Sequence, residues 1–392
     1  MDKNLFLNSP SGHIVKVGRG EAEYWAFAPN SLPPPLDLGM DSVVLLSEAD
    51  RALGELAGLG RTLPNANLLI RPFVRREAVL SSRIEGTQAS IADLYQFEAA
   101  QLPLPGAVTA PRGSDVLEVF NYVRALDYGL ERLTTLPVSL RLIREVHERL
   151  LRNVRGEEGT PGEFRTSQNW IGTPGCVLRD AHFVPPPVPE MNEALDALEN
   201  YLHKPDDSFP PLVRLAFIHY QFETIHPFID GNGRIGRLLI ALLLVRWKLL
   251  PSPLLYLSAY FERNKPRYYD LLLAVSREGA WREWVNFFLS GIAEQARDAI
   301  ERSRRLHDLH REWHGRLTTA RTSALTLRLL DALFESPILT IPQAQAILGV
   351  RSYLSAQLNV KKLVNAGILK PYGRVSYGKM FAAEDIMRIV QS

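Results

Sequence analysis

The chain has 392 residues, 46% hydrophobic and 22% charged, with a formal net charge of +2. That length allows roughly two to four domains with a sizeable core, and the near-neutral balance argues against a partner held by bulk electrostatics alone. The single cysteine, Cys176, excludes an internal disulfide and a cysteine-built metal cluster.

The first residues lack the basic-then-apolar pattern of a secretory leader. The most apolar run, LLIALLLV at 238–245, is too short to cross a bilayer and suits a buried helix. A cytoplasmic protein with no membrane segment is expected.

Pro-rich stretches at 29–38, 102–111 and 184–190 punctuate the chain, and the segments between them mostly carry helical spacing. Within 45–60, Leu46, Ala49, Leu53, Leu56 and Leu59 share one face. A helix is expected over 67–86, closed by Gly86. Further amphipathic helices are predicted at 140–151, 191–204 and 211–225. Between the first two of these, NWIG and AHFVP within 168–186 read as short strands around a TPGC turn. The stretch 281–318 reads as one or two helices whose charge-rich end forms a solvated face or a linker.

The tail differs in charge and pattern. Residues 320–392 carry a net charge of +5 and the remainder −3. Helices are expected at 324–335, 340–349 (Thr340 as N-cap, Pro342 near the first turn) and 352–367, followed by strands ILKPY and MFAAE around GRVSYGK. That is the order of a winged helix-turn-helix. The fold class predicted is mainly α, with a small β-hairpin and this tail module. The expected partition is 1–110, 111–300, a helical linker 301–320, and 321–392.

HPFIDGNGRIGR, residues 226–237, concentrates the chemistry. Gly231, Gly233 and Gly236 fit GxGxxG, but the dinucleotide fingerprint needs a preceding strand and an acid about 20 residues on. The preceding residues are helical, and the next acid is Glu262. The local physics still favours phosphate. Glycines before a helix expected near Arg234 let backbone N–H groups turn inward as an anion nest, and the helix N-terminus adds its dipole. Arg234 and Arg237, one turn apart, can reach one anion. Asp230 beside phosphate calls for a bridging divalent cation, and Mg²⁺ fits. His226 is placed to act as general base on an attacking hydroxyl.

The segment resembles the signature of the Fic family, HPFx(D/E)GNGRxxR, with no departure at a fixed position. Fic proteins are mostly helical and typically transfer AMP from ATP to a hydroxyl of a target protein. The resemblance implies His226 as the base, Asp230 as the Mg²⁺ ligand and Gly231, Asn232 and Gly233 as the phosphate cradle. Arg234 and Arg237 would clamp the outer phosphates. His219 reads as a structural histidine.

Glu85 stands in the last turn of its expected helix, where the dipole disfavours a carboxylate: it reads either as a solvated surface acid or as the partner of a cation elsewhere. SSRIEG, 81–86, resembles the Fic inhibitory motif (S/T)xxxE(G/N) through Ser81, Glu85 and Gly86. That resemblance implies a pairing of Glu85 with Arg237 that blocks productive ATP binding. It also leaves open a second activity, removal of AMP.

The stretch 162–186 resembles the Fic flap, whose hairpin edge would hold an extended target segment. Tyr268, Tyr269 and Leu272 are candidate walls of an adenine pocket. The target carries a Ser, Thr or Tyr hydroxyl, and the family makes a homodimer plausible. The tail is expected to contact DNA or protein. The alternative reading is a nucleotide-sensing DNA-binding regulator.

Overall fold

The computed structural model describes residues 1–20, 23–62, 67–100, 114–173, 175–204, 208–318, 323–373 and 379–391. The Pro-rich stretch 102–111, Pro174 of the expected flap turn and residues 374–378 of the expected tail hairpin lie outside them.

The chain opens with an antiparallel hairpin, β1 (Gly12–Val17) and β2 (Tyr24–Pro29), in register from Gly12↔Pro29 to Val17↔Tyr24. Helices α1 (Met40–Thr62), α2 (Asn67–Ile84), α3 (Ile91–Ala100), α4 (Asp115–Arg132) and α5 (Leu140–Leu150) follow. After a long irregular stretch come α6 (Val188–His203), α7 (Pro211–Ile225), α8 (Asn232–Arg246), α9 (Ser258–Arg263) and α10 (Lys265–Glu278). Next is α11 (Trp281–Leu317), a single helix of 37 residues. The tail holds α12 (Ala324–Glu335), β3 (Ile338–Thr340), α13 (Ile341–Leu348), α14 (Tyr353–Asn365), β4 (Lys370–Tyr372), β5 (Met380–Ala382) and α15 (Glu384–Gln391).

The predicted helices are present, and several have ends that follow from local chemistry. Thr340 makes a full capping box with Gln343. Prolines open α6, α7, α10 and α13, where a missing N–H leaves nothing unpaired. Gly279 and Gly349 take the left-handed conformation after α10 and α13.

Helix α8 sits at the centre. Leu238 through Leu244 are all buried, so the helix is apolar on every side. It packs against α7, α4, α5 and α2. Helix α11 lies along α1 and anchors α7 through a 2.9 Å bond from the Trp284 indole N–H to the Ala216 carbonyl.

Three expectations change. Among its described residues the 162–186 stretch has no hairpin ladder; Ile171 and Phe183 form one isolated antiparallel bridge. The prolines at 185–187 have no N–H to extend a ladder, and the Val184 carbonyl accepts instead from Phe27 of β2. Residues 301–317, within the expected helical linker 301–320, are helical and also packed. They continue α11; Leu306, Trp313 and Leu317 are buried, and Trp313 lies 5.7 Å from Phe334 of the tail. The tail has one more strand than expected, in the order β3-β5-β4, and a closing helix α15.

The tail also braces α2. Arg71 of α2 lies 3.7 Å from Glu335 of α12. Arg302 of α11 pairs with Asp298 and donates 2.6 Å to the Ile389 carbonyl of α15, while Asp298 also meets Arg76 of α2.

Candidate active site

His226 is the first residue after α7 and sits at φ 48°, ψ 61°, the left-handed region. A histidine tolerates this better than a β-branched residue, but only where surroundings hold it. They do. The His226 carbonyl accepts from Arg165 Nε at 3.0 Å and from Asn169 Nδ2 at 3.1 Å. Its ring Nδ1 lies 3.2 Å from the Glu223 carbonyl, which only an N–H can satisfy. Nδ1 therefore carries the proton and Nε2 presents a bare lone pair. Burial pushes the imidazole pKa down to about 4, against the Glu223 carbonyl that favours the cation. The ring is neutral near pH 7.

The turn from His226 into α8 is held from inside. Asn232 accepts from the Phe228 N–H at 2.9 Å and donates to the Phe228 carbonyl at 2.8 Å. Its side chain shapes the loop, so only its main chain faces an anion at the helix end. The same loop stacks on His147, whose ring lies parallel to Phe228 at 3.7 Å. Gly162 N–H donates to His147 Nδ1, so Nε2–H donates to the Asp230 carbonyl, both at 2.9 Å.

Helix α8 begins at Asn232, two residues earlier than expected. Gly231 alone of the cradle glycines has positive φ, +82°. Gly233 is already helical, and its need is space: a Cβ there would collide with Glu85 Oε1 and Arg237 Nη1. Gly236 is tight for another reason, since a Cβ would meet Glu223 and Phe222.

Glu85 lies just beyond α2 and reaches the N-terminus of α8. Arg237 Nη2 donates 2.6 Å to its Oε1. Arg237 also donates to Ser81 Oγ at 2.8 Å and to the Ser81 carbonyl at 2.9 Å. Arg237 is 3% exposed, whereas the Glu85 side chain keeps 31% of its surface. Desolvation pushes the Glu85 carboxyl up. The Arg237 charge and hydrogen bond, helped by Arg234 and His226, outweigh it and hold the group below its ordinary value. The carboxylate thus occupies the end of α8, beside Gly233, where unpaired N–H groups and the dipole attract an anion.

Arg234 is less free than the sequence implied. It lies 3.4 Å from the buried Glu118 and 3.6 Å from Asp230. Thr87, just past Gly86, donates to the same Glu118 oxygen at 3.0 Å, tying the loop after Glu85 to Arg234. Arg234 Nε is buried with no acceptor among the described residues, an unmet donor that a phosphate oxygen would satisfy. Asp230 Oδ1 accepts from Gly231 N–H at 2.6 Å, and 41% of the side chain is open. One open carboxylate beside an anion site is the donor set Mg²⁺ takes when phosphates supply further ligands.

Tyr268 is 1% exposed and belongs to the core. Its hydroxyl bonds His219 Nε2 at 2.8 Å, while His219 Nδ1 reaches the Gly236 carbonyl at 3.2 Å. His219 is structural, as expected. Tyr268 can back an adenine pocket but cannot line it. Tyr269, 41% exposed, and half-buried Leu272 remain at the surface of α10.

A model of the Fic/DOC family N-terminal region matches residues 43–131, and a Fic/DOC family model matches 137–244, together half of the chain. This chain belongs to the Fic/DOC family. The Fic match ends inside α8, and it contains His226, Asp230 and both arginines. Glu85 falls in the Fic N-terminal match. Among curated relatives, the Protein adenylyltransferase Fic of Aedes aegypti is 36% identical over 211 residues, 52% of this chain and 37% of the relative. That of Drosophila grimshawi is 34% identical over 177 residues, covering 44% and 33%. The chain therefore spans little more than a third of these relatives. A Fic family protein from Desulfovibrio desulfuricans G20 shares the fold at TM-score 0.57 and 20% identity, over 90% of this chain and 98% of that one. A Fic domain protein from Bacteroides thetaiotaomicron VPI-5482 matches at TM-score 0.50 and 19% identity, covering 66% and 97%.

Four residues that shape the Fic loop escaped the sequence reading: Glu118, His147, Arg165 and Asn169. His147 left a signal, since it shares the apolar stripe of α5 with Leu142, Ile143, Val146 and Leu150. Arg165 left none. It is buried in a loop and donates to the carbonyls of His226, Ser167 and Pro186.

Proposed function

We propose that this chain transfers AMP from ATP to a Ser, Thr or Tyr hydroxyl of a target protein, and that Glu85 holds it inactive. The Glu85–Arg237 bond at the end of α8, beside a neutral His226, carries the reading. The names of the curated relatives support it.

In the reaction, His226 Nε2 accepts the hydroxyl proton as the target oxygen bonds to the α-phosphorus. The bond from that phosphorus to the bridging oxygen breaks, and pyrophosphate leaves with the electron pair. The first N–H groups of α8, with Arg234 and Arg237, face the phosphates. Asp230 would hold Mg²⁺, which supplies charge neutralisation on the phosphate oxygens. Tyr269 and Leu272 would flank adenine, with Tyr268 behind them. His147, Asn169 and Arg165 fix the loop so that Nε2 points at one place. With Glu85 on Arg237, the outer phosphates lack their cation, and the anion site holds a carboxylate. Removal of AMP by a water positioned at Glu85 belongs to the same proposal.

Intact mass after incubation with ATP and Mg²⁺ tests this on wild type, Glu85→Gly and Glu85→Gly/His226→Ala. One adenylate on the single variant alone is the expected result. Silence of Glu85→Gly with every target offered would sink the autoinhibition.

We read 321–392 as a winged-helix module that contacts protein, including a second copy of the chain. The exposed side of α14 carries Tyr353, Leu354 and Leu358, and the only charges in the helix are Lys361 and Lys362. That suits an apolar partner better than phosphate. A gel-shift over a salt series that gives a sequence-selective complex would restore the DNA reading. No described helix is long and apolar enough to cross a membrane.

A further inference from the structure

Arg234 stands between two acids. Its Nη1 lies 3.4 Å from Glu118 Oε2, and its Nη2 lies 3.6 Å from Asp230 Oδ1. The Arg234 side chain is 2% exposed, so bulk water cannot stand in for either partner. The acids differ in setting. Glu118 is 1% exposed and lies in the first turn of α4, where the helix dipole favours a carboxylate. Asp230 keeps 41% of its side chain open.

Neither pair is closed to the roughly 2.7–2.9 Å of a direct charge-assisted bond, because each acid is also held elsewhere. Glu118 Oε2 accepts from Thr87 Oγ1 at 3.0 Å and has Arg155 Nη2 at 3.5 Å. Asp230 Oδ1 accepts from Gly231 N–H at 2.6 Å. Asp230 Oδ2 lies against Gly156, where a Cβ would collide with it. One buried guanidinium is therefore divided between a buried carboxylate and an open one.

The division matters for Asp230. A buried cation that loses one counter-charge closes on the one that remains, since leaving it unpaired is strongly unfavourable. Without the Glu118 charge, Arg234 would close on Asp230 Oδ1, and the open carboxylate would be spent on an arginine. With it, Asp230 stays open beside the end of α8.

We propose that Glu118 is a positioning residue for the divalent cation: by taking the Arg234 charge, it keeps the Asp230 carboxylate open to Mg²⁺. It touches neither nucleotide nor metal and acts through Arg234. Groups that hold a metal ligand in place from behind commonly set metal affinity. The inference rests on the ATP and Mg²⁺ reading above.

The test is calorimetric titration with ATP, in Mg²⁺ and in EDTA, on full-length Glu85→Gly/His226→Ala, in which transfer is blocked. The readout is the ratio of the two affinities, the gain due to Mg²⁺. Glu118→Gln keeps the shape and an acceptor for Thr87 but loses the charge. It should cut the gain about tenfold and leave the affinity in EDTA little changed. Thr87→Val removes the bond to Glu118 and keeps the charge, and should leave the gain as it is. Adding Arg234→Gln to Glu118→Gln should weaken ATP binding overall yet bring the gain back, because nothing then covers Asp230. Glu118→Asp keeps a charge at the same helix position, should keep most of the gain, and serves if Glu118→Gln does not fold. A loss of equal size in Mg²⁺ and EDTA overturns the inference. So does a Thr87→Val or Glu118→Asp loss as large as that of Glu118→Gln, or a gain that stays lost with Arg234→Gln. A parent protein that binds ATP equally in Mg²⁺ and EDTA overturns it together with the role of Asp230. A parent protein that binds no ATP in either condition overturns the nucleotide reading beneath it.

Discussion

Removing Glu85 should strengthen ATP binding by an amount the contact itself sets. The bond is a charge-assisted one of 2.6 Å to an arginine buried to 3% exposure. Such bonds contribute about 1.5–3 kcal/mol. Because 31% of the Glu85 side chain meets solvent, screening takes the figure toward the lower half, about 2 kcal/mol. ATP must displace this carboxylate from Arg237, so its loss should tighten binding about 30-fold. Calorimetric titration with ATP and Mg²⁺ measures this in a His226→Ala background, where turnover is blocked. Glu85→Gln, which keeps the shape and loses the charge, should fall between wild type and Glu85→Gly. The ligand-free variant should melt lower, because Arg237 keeps only its Ser81 partners. ATP should restore the lost stability by linkage. An affinity for Glu85→Gly within about threefold of wild type, well short of the predicted change, would refute the competition.

Transfer by Glu85→Gly should stay active well into acid. Burial holds the His226 pKa at about 4, so the base is neutral above that value and is lost only as pH falls through it; an acid limb near 6.5 in the rate profile would contradict this. Glu77 is buried on the Ser81 side of α2, accepts from Tyr122 at 3.1 Å and is pushed up to about 7 by desolvation, against bonds from Ser258 and Tyr122. A raised carboxyl pKa means stability present below the unfolded value and lost as pH rises through about 7. Glu77→Gln should therefore melt like wild type near pH 5 and above it at pH 8, by up to about 3 kcal/mol; a pH-independent difference would count against it. Gly233→Ala should abolish both ATP binding and the Glu85 lock, since the added methyl fills the place of the Glu85 oxygen; unchanged ATP affinity by calorimetry would show that the phosphates lie elsewhere. His147→Phe keeps a ring on Phe228 but loses both 2.9 Å bonds, and kcat should fall about tenfold with ATP affinity retained.

What could be read from the amino acids alone was whatever depends on neighbours in the chain. The periodicity of α5, α6, α7 and α14, the Thr340 cap and the all-round apolar α8 are local facts, because a helix is built from bonds four residues apart. The candidate active-site loop is local too. His226, Asp230, Gly231 and the arginines lie within twelve positions, so their joint chemistry was visible before any fold.

Contacts between distant segments were decided by tertiary structure. Glu85 and Arg237 are 152 residues apart, and a helix-end carboxylate only hinted at a cation somewhere. Tyr268 looked like a pocket wall and proved to be core, because α10 turns it toward His219. Arg234 looked free and is shared with Glu118, and the flap that looked like a hairpin is pinned by one bridge and by Phe27. The buried Arg165 left no trace in the sequence at all. Periodicity reports which face of an element is buried, but not which residue of another element it meets. That is set by how helices pack around α8, and the charges that hold His226 and occupy Arg237 come from there.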